Sequence, residues 1–202
     1  MILRIERAKV DAEGLDGLVA TFDETFREAA RSTPGLVRFH AGVRAVTPGE
    51  RELVVVTFWV TVELALSAYG GALGGVPGLD WPGGPAALHD IAYFEVDEST
   101  LRGSDADARF LRLTVGRVAR GLDVDIQGEL RTRMHALEDE MTEAYVGRRI
   151  LGDDVEIAFI SAWQGLPVTR SLDAPFWPDI SARYDAFEVA AYEPIASGAA
   201  AR

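Results

Sequence analysis

The chain has 202 residues, with 20 Lys or Arg against 32 Asp or Glu, so its formal net charge at pH 7 is −12. Nucleic acid and anionic membrane surfaces bind concentrated basic side chains, and no window of this sequence supplies them, which excludes both kinds of partner. The 48% hydrophobic content is typical of a globular protein. Because the chain has no cysteine, disulfides, thiolate metal sites and Cys nucleophiles are excluded, and we expect a cytoplasmic protein.

The first half of the chain predicts the order strand, helix, strand, strand, helix, strand. Alternating apolar runs indicate the strands, and apolar residues at a spacing of 3.6 indicate the helices. The long helix ends before the Pro34–Gly35 pair, which stops helices. The predicted bounds are 2–9, 36–46, 52–61 and 91–97 for the strands, and 15–31 and 62–69 for the helices.

The second half predicts the same order of elements. Its second helix is left unassigned, because Pro167, Pro175 and Pro178 crowd that interval. The predicted bounds are 109–119, 143–151, 155–163 and 184–192 for the strands, and 123–140 for the helix.

The two halves also align with each other, which indicates an internal repeat. At an offset of 104, Trp59 falls on Trp163, and residues 43–60 align with 147–164 without a gap. The same offset places His40 on Ala144. Two further alignments are 2–5 with 110–113, at an offset of 108, and 94–96 with 187–189, at an offset of 93.

A βαββαβ half is a ferredoxin-like unit, whose sheet has helices on one face only. We therefore expect an α+β fold in which two tandem ferredoxin-like repeats close an intramolecular α+β barrel with the helices outside. A monomer would then suffice, and a homodimer stays open. The expected domains are 1–97 as the first repeat, 98–108 as a linker, 109–193 as the second repeat and 194–202 as a disordered tail.

A Trp at the end of the third strand, leading into a short helix (TFWVTVELALSAY, 57–69), follows a helix that ends in Pro-Gly and two strands. This arrangement resembles the antibiotic biosynthesis monooxygenase (ABM) family of α+β barrels, over 1–97 and 109–193. The resemblance implies a cofactor-independent monooxygenase that acts with dioxygen on a small aromatic, phenolic or polyketide-type substrate.

Two alternatives to the monooxygenase stay open. One is a non-catalytic barrel that binds a small ligand or assembles. The other is haem binding and degradation, for which the resemblance implies an Asn on the first strand and a His on the helix after the Trp. The chain contains no Asn, and residues 62–69 contain no His.

Seven residues are candidates for the site. The resemblance places Trp59 and Tyr69 where the family has a Trp and a Tyr, although both also suit packing. His40 has the titration range of a proton acceptor, and the Gly- and Pro-rich segment 70–85 predicts a flap. No histidine has metal-ligand spacing, so we expect no metal site, and the resemblance implies that no cofactor is needed. The catalytic candidates are His40, Trp59 and Tyr69, and the ligand-binding candidates are Arg4, Arg112, Trp81 and His89.

Arg4 and Arg112 occupy equivalent positions on the first strand of each half. Because the more apolar alternate face of these strands is expected to meet the helices, both arginines are expected to point into the barrel. A buried guanidinium needs an anion. It either pairs with Glu95 or Glu188 on the neighbouring strand, or it binds a carboxylate or phenolate ligand. We expect any pocket in the first half, bounded by Trp59, Tyr69, His40 and Arg4.

Overall fold

The protein is described by a computed structural model. It describes residues 1–13, 15, 17, 19, 22, 27, 28, 31–68, 88–101, 108–136, 141–164 and 177–199. The strands are β1 (Ile2–Asp11), β2 (Leu36–Thr47), β3 (Glu50–Trp59), β4 (Leu88–Leu101), β5 (Phe110–Ala119), β6 (Met141–Leu151), β7 (Asp154–Trp163) and β8 (Ala186–Ala199). Helices span Val62–Ala68, Asp123–Ala136 and Pro178–Ser181, and the described residues between 12 and 32 are also helical.

The strands are hydrogen-bonded in the order β1-β3-β2-β8-β5-β7-β6-β4, which closes on itself as a barrel. Each half contributes its strands in the same order: fourth, first, third and second. The predicted α+β barrel of tandem ferredoxin-like repeats is therefore confirmed. Within the described part of the chain, no helix has the length and apolar character needed to cross a membrane.

The chain divides into two compact units, Met1–Tyr93 with Glu193–Arg202, and Phe94–Tyr192. In the first unit the end of β8 pairs with β2. In the second unit the start of β8 pairs with β5, and the end of β4 pairs with β6. The expected boundaries are thus corrected: β4 continues into the supposed linker, and residues 194–199 are strand instead of a disordered tail, because β2 satisfies their backbone groups.

Strand pairing confirms the repeat and corrects its register in β2. The offset is 104 between β3 and β7, but it becomes 105 between β2 and β6, because β2 contains a bulge near its C-terminal end that β6 lacks. The counterpart of His40 is therefore Tyr145, and the predicted Ala144 is wrong. Each of these residues lies opposite an equivalent position of the third strand of its half.

The fourth strands of the two halves align differently from the sequence prediction. Glu95 and Glu193 lie opposite equivalent residues of β6 and β2, so the offset here is 98 and the predicted 93 is wrong. In β8, Glu188 and Glu193 are each flanked by apolar residues. A three-residue match to residues 94–96 can therefore be aligned with either of them, and the sequence alignment chose the wrong one. By this register, Tyr93 and Ala191 occupy equivalent places.

Each unit packs one side of its sheet against its helices. In the first unit, Val55 of β3 belongs to a buried cluster with Phe22 and Ala65, which come from helical segments. In the second unit, Phe159 of β7 packs in the same way with Leu130 of the long helix. We call these the helix-facing sides of the two sheets.

One buried hydrogen bond is repeated at the end of the third strand of each half. Trp59 Nε1 donates to Thr57 Oγ1 at 2.8 Å, and Trp163 Nε1 donates to Ser161 Oγ at 2.8 Å. All four side chains are buried. A hydroxyl two residues before the Trp therefore satisfies an indole N–H that has no access to water.

We predict that Thr57→Val, which keeps the side-chain shape and removes the acceptor, lowers the free energy of unfolding by about 1–3 kcal/mol. Thr57→Ser keeps the acceptor and should cost less. Equilibrium urea denaturation measures both. A smaller loss in Thr57→Val than in Thr57→Ser would show that packing of the Thr57 methyl group, and not the indole hydrogen bond, stabilises this strand end.

Candidate functional site

The structure describes four of the seven candidate side chains. Arg4 lies on β1, His40 on β2, Trp59 on β3 and Arg112 on β5. Tyr69, Trp81 and the predicted flap 70–85 lie outside the described residues, and so does the side chain of His89, whose backbone is in β4.

His40 and Trp59 lie on opposite sides of their sheet. Trp59 belongs to the helix-facing cluster. His40 pairs with Val56, three positions away along β3, and its ring meets Phe58 edge to face with centroids 6.1 Å apart. Because successive side chains of a strand alternate between faces, the predicted pocket that combined His40 with Trp59 is wrong. His40 does not reach a ligand on the helix-facing side.

The side of β1 that carries Arg4 meets the helices, which corrects the predicted orientation. Ala8 and Val10 share this side with Arg4 and pack in the helix-facing cluster. The more apolar side, with Leu3 and Ile5, faces the other way. The prediction assumed that helices cover the more apolar face, which fails where a charged side chain is neutralised locally.

Glu6 neutralises Arg4 within the same strand. Their side chains form an ion pair, and both are 0% exposed. Arg4 Nε also donates to Tyr93 Oη at 2.9 Å, and the guanidinium carbon lies 5.6 Å from the centre of the Tyr93 ring. A buried cation with an adjacent carboxylate and a phenol is stable without any ligand.

The glutamates that were predicted as partners lie elsewhere. Glu95 is exposed, and Arg4 is paired with Glu6 in its place. Glu188 is exposed and lies opposite Val115, on the side of β5 that Arg112 does not share. The predicted pairing relied on the wrong face of β1 and β5.

Arg112 occupies the place of Arg4 in the second unit, but its surroundings differ. It is 2% exposed and lies on the helix-facing side of β5. Thr114 stands where the first unit has Glu6, and Ala191, opposite Arg112 on β8, stands where it has Tyr93. Neither the carboxylate nor the phenol of the first unit is reproduced at these positions.

A cavity of about 20 Å³ lies beside Arg112 on this side of the sheet. That volume holds about one or two water molecules. We call it the Arg112 cavity; its walls include Arg112, Thr114, Phe159, Trp177, Tyr184 and Phe187. Four of the ten described lining residues are aromatic, three are aliphatic (Leu130, Ile157 and Ile180), and Arg112 is the cation among them.

Ion pairs hold the outer wall of the Arg112 cavity against the long helix. The Pro178–Ser181 helix carries Asp179, which accepts two hydrogen bonds from Arg133, one of them at 2.9 Å. Arg183 donates to Glu129 at 2.5 Å. The Arg133 hydrogen bond keeps the pKa of Asp179 below its usual range. These pairs are exposed, so they are weak and sensitive to salt.

Tyr184 closes the same wall by packing on a glycine. A Cβ placed on Gly116 would overlap the Tyr184 ring, so only glycine allows this approach. Ala8 is the equivalent residue of the first unit. Burial raises the pKa of the Tyr184 phenol well above its usual value. The phenol therefore stays protonated and uncharged at neutral pH.

The described residues include no group of three or more His, Asp or Glu side chains that could hold a metal ion. Among the residues that the structure describes, the ionisable groups at the Arg112 cavity are Arg112 and Tyr184. This part of the wall carries a positive charge beside aromatic rings, and none of its described side chains is a base.

The difference between Glu6 and Thr114 was visible in the sequence. The alignment at an offset of 108 places these residues two positions after the paired arginines. Sequence reasoning missed it because it looked for partners on the neighbouring strand only. Nothing in the sequence pointed to Tyr184 or Trp177 as part of the same wall.

We predict that Glu6→Gln lowers the free energy of unfolding by about 3–5 kcal/mol, because it leaves the buried Arg4 guanidinium without its carboxylate. The control is Glu50→Gln, which removes the part-exposed carboxylate 3.1 Å from Lys9 at the other end of β1 and should cost less than about 1 kcal/mol. Denaturant titration compares the two. Equal losses would contradict the assigned role of Glu6.

No family model matches the chain, and no curated protein matches it. A structure from Fusobacterium nucleatum, described as a "putative monooxygenase", is similar with a TM-score of 0.71 at 12% identity, over 98% of this chain and 94% of that one. An "anthrone oxidase-like protein" gives 0.62 at 14%, over 100% and 94%. A Lactobacillus acidophilus "putative monooxygenase" gives 0.60 at 11%, over 98% and 95%. At these identities the likeness shows the fold alone, which is the α+β barrel described above.

Proposed function

We propose that the protein is a cofactor-independent monooxygenase that acts with dioxygen on a small aromatic or phenolic substrate. The observation that carries this proposal is the likeness, over nearly the whole chain, to structures described as a "putative monooxygenase" or as an "anthrone oxidase-like protein". The aromatic walls of the Arg112 cavity support it, because a planar substrate packs well against such rings.

In such a reaction the substrate itself supplies the electrons. An anthrone methylene and one dioxygen give a quinone carbonyl and one water, so no external reductant enters. The substrate reduces dioxygen only after it has lost a proton. The contribution of the protein is then to bind the substrate, to exclude bulk water and to stabilise the anion.

The described walls of the Arg112 cavity favour an ionised substrate without supplying a base. Arg112 is a permanent cation, and a nearby positive charge lowers the pKa of a bound phenol or enol. The raised pKa of Tyr184 keeps its phenol neutral, and His40 lies in the other unit on the side of its sheet away from the helices. Ionisation therefore depends on the substrate and the pH.

The second candidate is a barrel that binds a ligand without turning it over. The described walls of the Arg112 cavity favour it, because they include no side chain that could act as a base for turnover. Haem degradation is not supported by the residues: the Val62–Ala68 helix has no His, and β1 has no Asn.

We predict that hydroxylated anthrones are converted to quinones in air and not under anaerobic conditions, with one dioxygen consumed per anthrone. Because the walls supply no base, kcat/KM should rise with pH until the substrate is ionised, without a fall on the alkaline side below about pH 9. An oxygen electrode and absorbance of the quinone measure both. Absence of oxygen-dependent turnover across the panel would favour the binding barrel.

A wall variant tests the location. Trp177→Ala removes one aromatic wall and should lower kcat/KM about tenfold, as expected for the loss of about 1.4 kcal/mol of packing in the transition state. The control is Val124→Ala, at an exposed residue of the long helix. Equal turnover in the two variants would place the reaction elsewhere in the protein.

A further inference from the structure

We propose that residues 177–181 form a gate over the Arg112 cavity, and that Arg133 of the long helix holds this gate closed. We call these residues the gate segment. The inference deepens the proposed function, because it concerns entry to the same cavity, and it rests on that function for the aromatic character of the ligand. The gate itself is argued from the contacts of the described residues on the outer wall.

The Arg112 cavity is too small in this conformation for an aromatic molecule. Its volume of about 20 Å³ holds about one or two water molecules. Sites for organic ligands commonly measure about 300–1,000 Å³. An aromatic ligand therefore enters only if one wall moves, and it does so without disrupting the fold only if that wall is not part of the sheet.

The walls on the sheet and on the long helix are fixed. Arg112 and Thr114 belong to β5, which is hydrogen-bonded on both sides, to β7 and to β8. Leu130 belongs to a helix of 14 residues in which Ile126 and Met134 are also buried. Movement of either wall would break many contacts of the core at once.

The gate segment is held together by local backbone hydrogen bonds. Ser181 N donates to Trp177 O, and Ala182 N donates to Pro178 O, both at 2.9 Å. These bonds lie within a helix of four residues and its immediate ends, so they move with the segment. Its displacement leaves the hydrogen bonds of the sheet intact.

The chain that follows the gate segment is anchored to the sheet and provides a pivot. Asp185 N donates to Arg117 O at 2.8 Å. The Tyr184 ring packs directly on Gly116. The gate segment can therefore swing about residues 182–184 while the chain beyond them stays on β5.

Arg133 contacts the gate segment at two points. Its guanidinium donates two hydrogen bonds to the carboxylate of Asp179. Its Cζ lies 6.0 Å from the centre of the Trp177 ring, which is a cation–π distance. Arg183, in the pivot, is paired with Glu129 of the same helix. Because exposed ion pairs are weak and screened by salt, these contacts can be broken without unfolding the unit.

On the inside, the gate segment is held by apolar packing that a ligand can replace. Ile180 is 2% exposed, and the Trp177 ring lies 5.6 Å from the Phe159 ring. Opening exposes these surfaces to water, which is unfavourable. An aromatic ring bound against Phe159 restores the lost contact. The closed state is thus favoured without ligand, and an aromatic ligand stabilises the open state.

A single introduced thiol can measure access to the cavity, because the chain has no cysteine. Ile157 and Ala158 are adjacent on β7 and are 1% and 0% exposed. Ile157 lines the Arg112 cavity, and Ala158 lies on the opposite side of the strand. The probe is dithiodipyridine, an uncharged aromatic disulfide. Labelling of Ile157→Cys reports opening of the gate, and labelling of Ala158→Cys reports unfolding of the unit.

We predict that Asp179→Asn raises the labelling rate of Ile157→Cys about two- to fivefold, the range expected for the loss of one exposed ion pair. Arg133→Met removes both contacts with the gate segment and should raise the rate further. Neither change should alter the labelling rate of Ala158→Cys. The matched control is Asp153→Asn, at an exposed carboxylate in the turn between β6 and β7, which should leave both rates unchanged.

Hydrogen exchange gives a second measurement that needs no introduced cysteine. A helix of four residues is not stable without its packing, so opening of the gate exposes the amides of Ser181 and Ala182. Asp179→Asn should speed their exchange about two- to fivefold and leave the exchange of β7 unchanged. Mass spectrometry of the full-length protein measures both regions.

Three results would overturn the inference: equal acceleration of labelling at positions 157 and 158, unchanged labelling and exchange in Asp179→Asn, or labelling of Ile157→Cys as fast as that of an exposed thiol. Neither measurement uses dioxygen or an oxidisable substrate. Turnover of anthrones without gated labelling would reject the gate and keep the proposed function, and gated labelling without turnover would do the opposite.

Discussion

A buried arginine on the helix-facing side of each sheet is the constraint on which the rest of the structure depends. Arginine does not give up its proton inside a protein, so its charge must be met by a nearby anion. Arg4 and Arg112 occupy equivalent places, at 0% and 2% exposure. How each unit meets this requirement decides what its helix-facing side can do.

In the first unit, a carboxylate of the same strand neutralises the buried arginine. Glu6 and Tyr93 surround Arg4, so this side of the sheet is electrically neutral and can be covered by helical residues such as Phe22 and Ala65. In the second unit, Thr114 and Ala191 stand at the positions of Glu6 and Tyr93, and a cavity of about 20 Å³ lies beside Arg112, which makes other contacts within the protein. The strand order is the same in both units although the residues around the two arginines differ.

Much of the fold could be predicted from the sequence, because the two halves align well in the hairpin formed by the second and third strands of each half. Trp59 and Trp163 align and make the same hydrogen bond to a hydroxyl two residues earlier. The strand bounds were predicted to within a few residues, except that β4 and β8 are longer. The register of β2 could not be predicted, because an ungapped alignment does not show a one-residue bulge. The register of β8 could not be predicted either, because the matched triplet has two possible positions on that strand.

The site was harder to predict because hydrophobicity alone does not identify the buried face of a strand. Leu3 and Ile5 suggested the helix-facing side, and the pair of Arg4 with Glu6 reversed that assignment by removing the cost of the charge. His40 was combined with Trp59 on other grounds, its titration range and the resemblance, which do not define a face of the sheet. An Arg and a Glu two residues apart on one strand could be treated as one neutral unit, which gives the correct face of β1 but not of β5, where Thr114 follows Arg112.

The central claim is that Glu6 neutralises the buried Arg4 within the same strand, so that a charged side chain can lie on the helix-facing side of β1. A double-mutant cycle on the free energy of unfolding, built from Arg4→Met, Glu6→Gln and the double variant, tests it most directly. The account predicts that the double variant loses less stability than the two single variants together, by about 1–3 kcal/mol, because removal of both charges leaves neither of them buried alone. Losses that simply add would contradict it.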